Sequence, residues 1–213
     1  MRITIFGAAG ELGSRILSEA LERGHDVTAV VRNTDQFHKL PSGAVPVAGD
    51  ASNSGEVAKL TMGQDLAISA IRPPTGQEQL LVPITKAILN GVAETGVRVL
   101  IAGGAASLHM PGQGALTVLT TPGFLPDSVV DIARACFEQH ALCRAETIAN
   151  WTYFSPPAML HPGERRGGFQ MGRDELLYDT EGNSAISMED FAVVFLNEAE
   201  HPKHERTRLT AAY

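Results

Sequence analysis

The residues best placed for chemistry stand near the start of the chain, in "IFGAAGELGSRIL", where Gly7, Gly10 and Gly13 recur at every third position. This spacing admits two jobs, a ligand-free tight turn or the seat of a nucleotide pyrophosphate. The context favours the seat: an apolar β-branched strand precedes the glycines, a helical pattern follows, and both lie in a βαβ unit of roughly 30 residues. Gly7 permits the sharp turn, Gly10 lets a diphosphate reach the backbone, and Gly13 lets helix and strand pack closely. The helix then offers free N–H groups and its positive dipole end to an anion. An NAD site usually carries Asp or Glu about 20 residues further on, to hold the ribose 2′-hydroxyl. Here "VVRN" puts Arg32 at that place. A guanidinium can pair with the 2′-phosphate of NADP, so NADP(H) is expected over NAD(H). The alternative is a solvated arginine partnered by Asp35. Asp50, in "AGDAS", ends a later strand, and with Ala51 it is a candidate for the adenine edge. Capping the helix that "DASN" could open is an equal alternative for Asp50.

Alternating elements must position these residues. Strand patterns occur in "RITIFG", "DVTAVVR" (26–32), "AVPVAGD" (44–50), "DLAISAI" (65–71), "VRVLIAGG" (97–104), "WTYFSPP" (151–157) and a last "TRLTAAY". Helical spacing covers residues 11–24, 77–95 and 127–149, and "SMED" at 187–190 resembles a capping box that starts another helix. Such alternation predicts an α/β fold, a doubly wound, mostly parallel sheet with helices on both faces. The 213 residues, 44% hydrophobic, suffice for one sizeable core. We therefore expect one domain over residues 1–213, with 156–184 and the C-terminal segment forming a small substrate-side lobe. Segments 103–126 and 156–184 are rich in Gly and Pro and start at strand ends, where ligands bind in open α/β sheets.

The formal net charge of −7 speaks against a nucleic-acid partner. No apolar run nears the ~20 residues that span a bilayer, and no secretory signal is visible, so a cytoplasmic protein is expected. Cys136 and Cys143 share a helix face, too far apart to bridge, and read as small core residues. The His residues are scattered, and no metal set is expected.

Together "ITIFGAAGELGSRIL", "VTAVVRN", "VAGDAS", "AISAIRPP", "WTYFSPPAML" and "PGERRGGF" resemble the atypical short-chain dehydrogenase/reductase branch. The resemblance runs the length of the chain. It is strongest to the NADH-flavin reductase group, related to biliverdin reductase B and the NmrA-like proteins. It implies a Rossmann-like sheet and an NAD(P)H site. Gly7, Ala9, Gly10, Glu11 and Leu12 would lie at the pyrophosphate, Arg32 at the 2′-phosphate, and Asp50 and Ala51 at the adenine. Ala70, Ile71 and Arg72 would line the ribose, and Ser155, Pro156 and Pro157 would lie near the nicotinamide. Relatives often have Thr where Ala9 stands.

A second departure concerns catalysis. Typical short-chain dehydrogenases use Tyr and Lys four residues apart. Here the positions four after Tyr153 and Tyr178 hold Pro157 and Gly182, and Tyr213 is the last residue. Reducing a carbonyl to an alcohol needs a proton donor at the developing alkoxide. A flavin or quinone takes hydride into its own conjugated system, and water can supply the proton. The leading expectation is therefore NADPH-dependent reduction of a flavin, quinone or similar flat acceptor, with FMN or FAD entering as substrate rather than prosthetic group. The alternatives are an NmrA-like NADP(H)-binding redox sensor without turnover and, more weakly, a nucleotide-sugar epimerase or dehydratase. The partner is a small-molecule acceptor, the protein a monomer or homodimer.

For the acceptor side, Ser107 stands near the family's catalytic Ser, and His109 could act as an acid. Both could equally be ordinary loop residues. His140 falls in the helix that usually carries the Tyr/Lys pair. Arg165 and Arg166 could meet an anionic substrate, and Phe124 and Phe169 could stack on a flat one. Trp151 reads as core.

Overall fold

The computed structural model describes residues 1–213. In chain order the elements are β1 (Arg2–Phe6), α1 (Glu11–Glu22), β2 (Asp26–Val31), β3 (Val45–Ala48), α2 (Ser54–Thr61), β4 (Leu66–Ser69), α3 (Leu81–Thr95), β5 (Arg98–Ala102), α4 (Val130–Ala145), β6 (Trp151–Ser155), β7 (Met159–His161), β8 (Gln170–Gly172), β9 (Ala185–Ser187), α5 (Met188–Glu200) and β10 (Thr207–Ala212). Eight strands form one sheet in the order β3-β2-β1-β4-β5-β6-β10-β8. All pairings in it are parallel except β10 with β8, which is antiparallel. β7 and β9 form a separate parallel pair. This is a Rossmann-like doubly wound fold, and the strand order reverses direction between β1 and β4.

The strands are apolar on both faces because helices cover both. On one side α1 and α5 pack together over a core that includes Ile5, Leu17, Phe154 and Phe195. The Phe154 and Phe195 rings stack there at 3.8 Å between centroids. On the other side α2, α3 and α4 cover Phe6, Val99, Ile101 and Trp151. No helix is long and apolar enough to cross a membrane.

Several boundaries differ from the sequence expectation. The helix expected from residue 77 begins with a 3-10 turn over Glu78–Leu80, and α3 follows it. The helix expected to 149 stops at Ala145, where Glu146 turns extended and its carboxylate accepts the N–H groups of Ile148 and Ala149. α2 is the helix that "DASN" could open. It is short, and its cap is Asn53, whose Oδ1 accepts from the N–H groups of Gly55 and Glu56. The capping job considered for Asp50 is thereby corrected. Asp50 instead accepts from the backbone N–H and hydroxyl of Ser52.

The loop holding "GERRGG" is pinned to the fold by one buried carboxylate, Asp190. It accepts from the N–H groups of Arg166 (3.0 Å) and Gly167 (2.9 Å) and from the Tyr213 hydroxyl (2.7 Å). Burial alone would raise its pKa, but these donors outweigh burial and hold it below the usual carboxylate range. A carboxyl depressed in the folded state adds stability above its unfolded pKa and loses it as pH falls through the folded one. Asp190→Ala should lower stability by about 3 kcal/mol at neutral pH, because it leaves buried donors unpaired. Denaturant titrations at pH 7 and at pH 3 should show this gap shrinking in acid. An equal gap at both would remove the ionised carboxylate from the explanation.

Candidate functional site

The carboxyl ends of the first six strands converge on one cavity of about 740 Å³. Phe6 and Gly7 follow β1, Val31 and Arg32 end β2, Gly49 to Ser52 follow β3, Ala70 to Thr75 follow β4, Ala102 to Ala106 end β5, and Pro156 to Leu160 follow β6. The glycine turn lines it, next to the point where the strand order reverses. Gly7 has φ +80°, and a Cβ on it would lie 2.7 Å from the Ala70 carbonyl oxygen. A Cβ on Gly13 would lie only 2.1 Å from the Gly7 carbonyl oxygen, so α1 can start this close to β1 only without one. Gly10 is the N-cap of α1 and supplies no side chain to its first turn. By contrast, Asn53 caps α2 and Ser187 caps α5 with side-chain bonds. The positive end of α1 is therefore left for something else to satisfy, and it borders the cavity.

Of the residues singled out for the dinucleotide, Gly7, Ala9, Gly10, Glu11, Leu12, Arg32, Asp50, Ala51, Ala70, Ile71, Arg72, Pro156 and Pro157 all line this cavity. Ser155 does not. It is fully buried in β6 behind the wall, and its Oγ has no hydrogen-bond partner. Arg32 is exposed at the end of β2. Its charge reaches Asp50, whose carboxyl is held below the usual range first by hydrogen bonds from Ser52 and further by Arg32.

The acceptor-side candidates fare differently. Ser107 and His109 are not on the cavity wall. The Ser107 Oγ accepts from Arg208 Nη1 at 2.8 Å and lies 2.9 Å from His140 Nδ1. Burial, reinforced by Arg208 and Arg144, pushes the His140 pKa down to about 4. The imidazole is therefore neutral, and its Nδ1 shares a hydrogen bond with the Ser107 hydroxyl. Arg208 also donates to Asp174 at 2.7 Å, so this network ties the loop after β5 to α4 and β10. His109 is exposed and bridges to Thr117 and Glu175 through its backbone.

Arg165 and Arg166 are turned to internal use. Arg165 pairs with the buried Glu19 at 2.8 Å, and the Arg166 guanidinium lies 4.1 Å from the centre of the Tyr213 ring. Phe124 packs beside Leu108 and Leu176, Phe169 packs against the α1/α5 core, and Trp151 is core. Neither phenylalanine lines the cavity.

Sequence reasoning missed two features of the wall. Cys136, expected in the core, faces the cavity; burial pushes its thiol up to about 11, against the pull of Arg72. Tyr153 runs beneath Gly103, where a Cβ would fall 1.9 Å from its ring. Its hydroxyl accepts the Gly104 N–H at 3.2 Å and lies 3.0 Å from the Cys136 carbonyl oxygen. Burial raises its pKa well above the ordinary value, so it stays neutral and serves as a brace. The paired glycines of "IAGG" were the available signal, since a bulky neighbour on β6 needs one beside it.

Comparison with known proteins agrees with this geometry. A family model described as NAD(P)H-binding matches residues 7–202. Uncharacterized protein YwnB of Bacillus subtilis is 32% identical, across 99% of this chain and 97% of its own length. A solved structure from Bacteroides thetaiotaomicron, provisionally named an epimerase, superposes with a TM-score of 0.89 at 36% identity, over 100% of this chain and 96% of its own. Another, from Streptococcus pneumoniae and provisionally named an NADH-flavin reductase, has a TM-score of 0.89 at 27% identity, over 100% of this chain and 99% of its own.

Proposed function

As the chain belongs to the NAD(P)H-binding family, we propose that it is an NADPH-dependent reductase that passes hydride to a flavin, quinone or similar flat acceptor. The observation that carries this reading is a single cavity with two unlike ends. One end holds the uncapped glycine turn and Arg32; the other is walled by apolar side chains after β5 and β6. The first end suits a dinucleotide: the α1 N-terminus meets the pyrophosphate, Arg32 the 2′-phosphate, and Asp50 and Ala51 the adenine. Ala70, Ile71 and Arg72 border the riboses and phosphates, and Pro156 and Pro157 the nicotinamide, which when bound supplies the hydride. The chain's own task is to hold that ring, seat the acceptor against it and keep bulk water out. Neither Ser107 nor His109 is assigned proton transfer; Ser107 positions the loop after β5.

In this reading the protein works in the cytoplasm on a small molecule, as a monomer or homodimer. Residues 1–213 act as one domain, and 156–184 with the C-terminal segment flank the acceptor. Purified protein with NADPH and FMN, riboflavin or menadione should lose absorbance at 340 nm. No turnover with any such acceptor would overturn the reductase reading. The alternative, an NADP(H)-binding redox sensor, is favoured by one observation: beyond β5 the wall offers no side-chain acid or base except the Cys136 thiol. Tight dinucleotide binding without turnover, together with a co-purifying protein, would support it. An epimerase must move a proton at a sugar carbon, which that same wall does not help.

A further inference from the structure

The acceptor end of the cavity has a chemical character that the reductase reading leaves open. Its wall from Ala102 onward is built of Gly, Ala, Pro and apolar side chains, with Val118, Leu125, Val129, Ile132, Cys136 and Met188 among the bulky or polarisable members. No side chain on that wall carries a charge, a hydroxyl or an imidazole. Arg134, beside Ala133 in α4, is exposed and does not line the wall, and four other arginines are held elsewhere. Arg165 is paired with Glu19 and Arg166 lies on Tyr213. Arg173 donates to Thr207 and Arg208 to Ser107 and Asp174. The one guanidinium whose field reaches the Cys136 thiol is Arg72, which follows β4 and borders the dinucleotide end.

From this wall we infer that the acceptor is a flat, uncharged, apolar ring system, and that a phosphate or carboxylate on it is selected against. The inference rests on the reductase reading and narrows its substrate class. An ionised group taken from water into such surroundings loses hydration, and the wall itself supplies no cation to replace it, the nearest being Arg72 after β4. A neutral ring loses little and gains apolar contact. An anionic acceptor also approaches a protein of formal net charge −7 and the phosphates of a dinucleotide already seated.

Riboflavin and FMN separate charge from ring, since they share the isoalloxazine and differ by one phosphate. Their binding is read by quenching of flavin fluorescence, without turnover, on the protein alone and on the protein saturated with NADP+. Riboflavin is expected to bind about tenfold more tightly than FMN in both states, with a wider gap when NADP+ is present and low salt leaves charges unscreened. Menadione should compete with riboflavin, and menadione-2-sulfonate should compete at least about tenfold less well. Equal or tighter binding of FMN, or failure of every neutral ring to bind, overturns the inference. Dinucleotide binding is measured in parallel by isothermal titration. If NADP+ does not bind, the reductase reading falls separately, while the flavin ranking on the protein alone still decides the character of the wall.

Discussion

Replacing Arg32 with glutamate should raise the Kd for NADPH by about 100-fold while moving that for NADH by less than about threefold. The two dinucleotides differ only at the ribose 2′ position. Arg32 stands at the end of β2, on the wall of the cavity and exposed to solvent. A guanidinium there can make paired, charge-assisted hydrogen bonds to a phosphate, each worth about 1.5–3 kcal/mol. Glutamate removes those bonds and sets a second carboxylate in the field of Asp50, which now feels Arg32. The same carboxylate could accept a bond from a free 2′-hydroxyl, which is why NADH should lose so little. Because the site is open to water, the NADPH effect should shrink as salt is raised. Isothermal titration with both dinucleotides at two ionic strengths checks this. Equal losses for NADPH and NADH would remove Arg32 from the 2′ position.

Gly13→Ala should be nearly as damaging, for a steric reason. The added methyl would fall 2.1 Å from the Gly7 carbonyl oxygen and 2.9 Å from its carbon. Both are backbone atoms of the turn itself, so no side chain can swing away. Helix α1 must slide off the end of β1, which carries its N-terminal N–H groups away from the place where an anion would meet them. Overpacking of this kind costs about 1–3 kcal/mol, and for a chain of this size that lowers Tm by roughly 3–10 °C. Dinucleotide affinity should fall by about 100-fold, because the turn and the helix end move together. Gly24→Ala is the control. Gly24 also has a positive φ, +78°, but nothing lies within 4 Å of its missing Cβ. It should cost about 1 kcal/mol of stability and leave dinucleotide binding unchanged. If Gly13→Ala bound NADPH normally, the packed turn would not be what shapes the cradle.

The contrast between the two ends of the cavity shows what could be read from sequence. The end proposed here for the dinucleotide was legible because its parts are local. Glycine spacing, the strand before it and the helix after it all fall within the first two dozen residues, and Arg32 ends the next strand. The acceptor end is assembled from distant pieces: Val118 from a loop, Cys136 from α4, Pro157 after β6 and Met188 at the start of α5. None of these residue types announces a site. Polar residues drew attention instead, but Ser107 is bonded to Arg208, Arg165 pairs with Glu19, and Arg166 lies over the Tyr213 ring. Helix α2 was legible only as a possible start at "DASN", with the wrong capping residue. It has only eight residues, and its start is marked by Asn53, next to an Asp50 with the same capping ability. The strand pattern was the most legible level, because strands covered on both faces carry uninterrupted apolar runs.

The position of β10 has a consequence in time. The strand contributed by residues 207–212 is hydrogen-bonded between β6 and β8, inside the sheet rather than at its margin. Beyond it the Tyr213 hydroxyl reaches Asp190 and so completes the anchor of the "GERRGG" loop. During synthesis, β1 to β6 can assemble as they emerge, since each pairs with a strand already made. The sheet nevertheless keeps an open flank beside β6 until residues 207–212 leave the ribosome, and β8 has nothing to pair with before then. A chain paused or cut short of residue 207 would thus present an unpaired strand edge, the surface on which nascent chains stick to one another. Its passage from partly ordered to closed therefore waits on the emergence of residues 207–212, long after the glycine turn near the start of the chain has appeared.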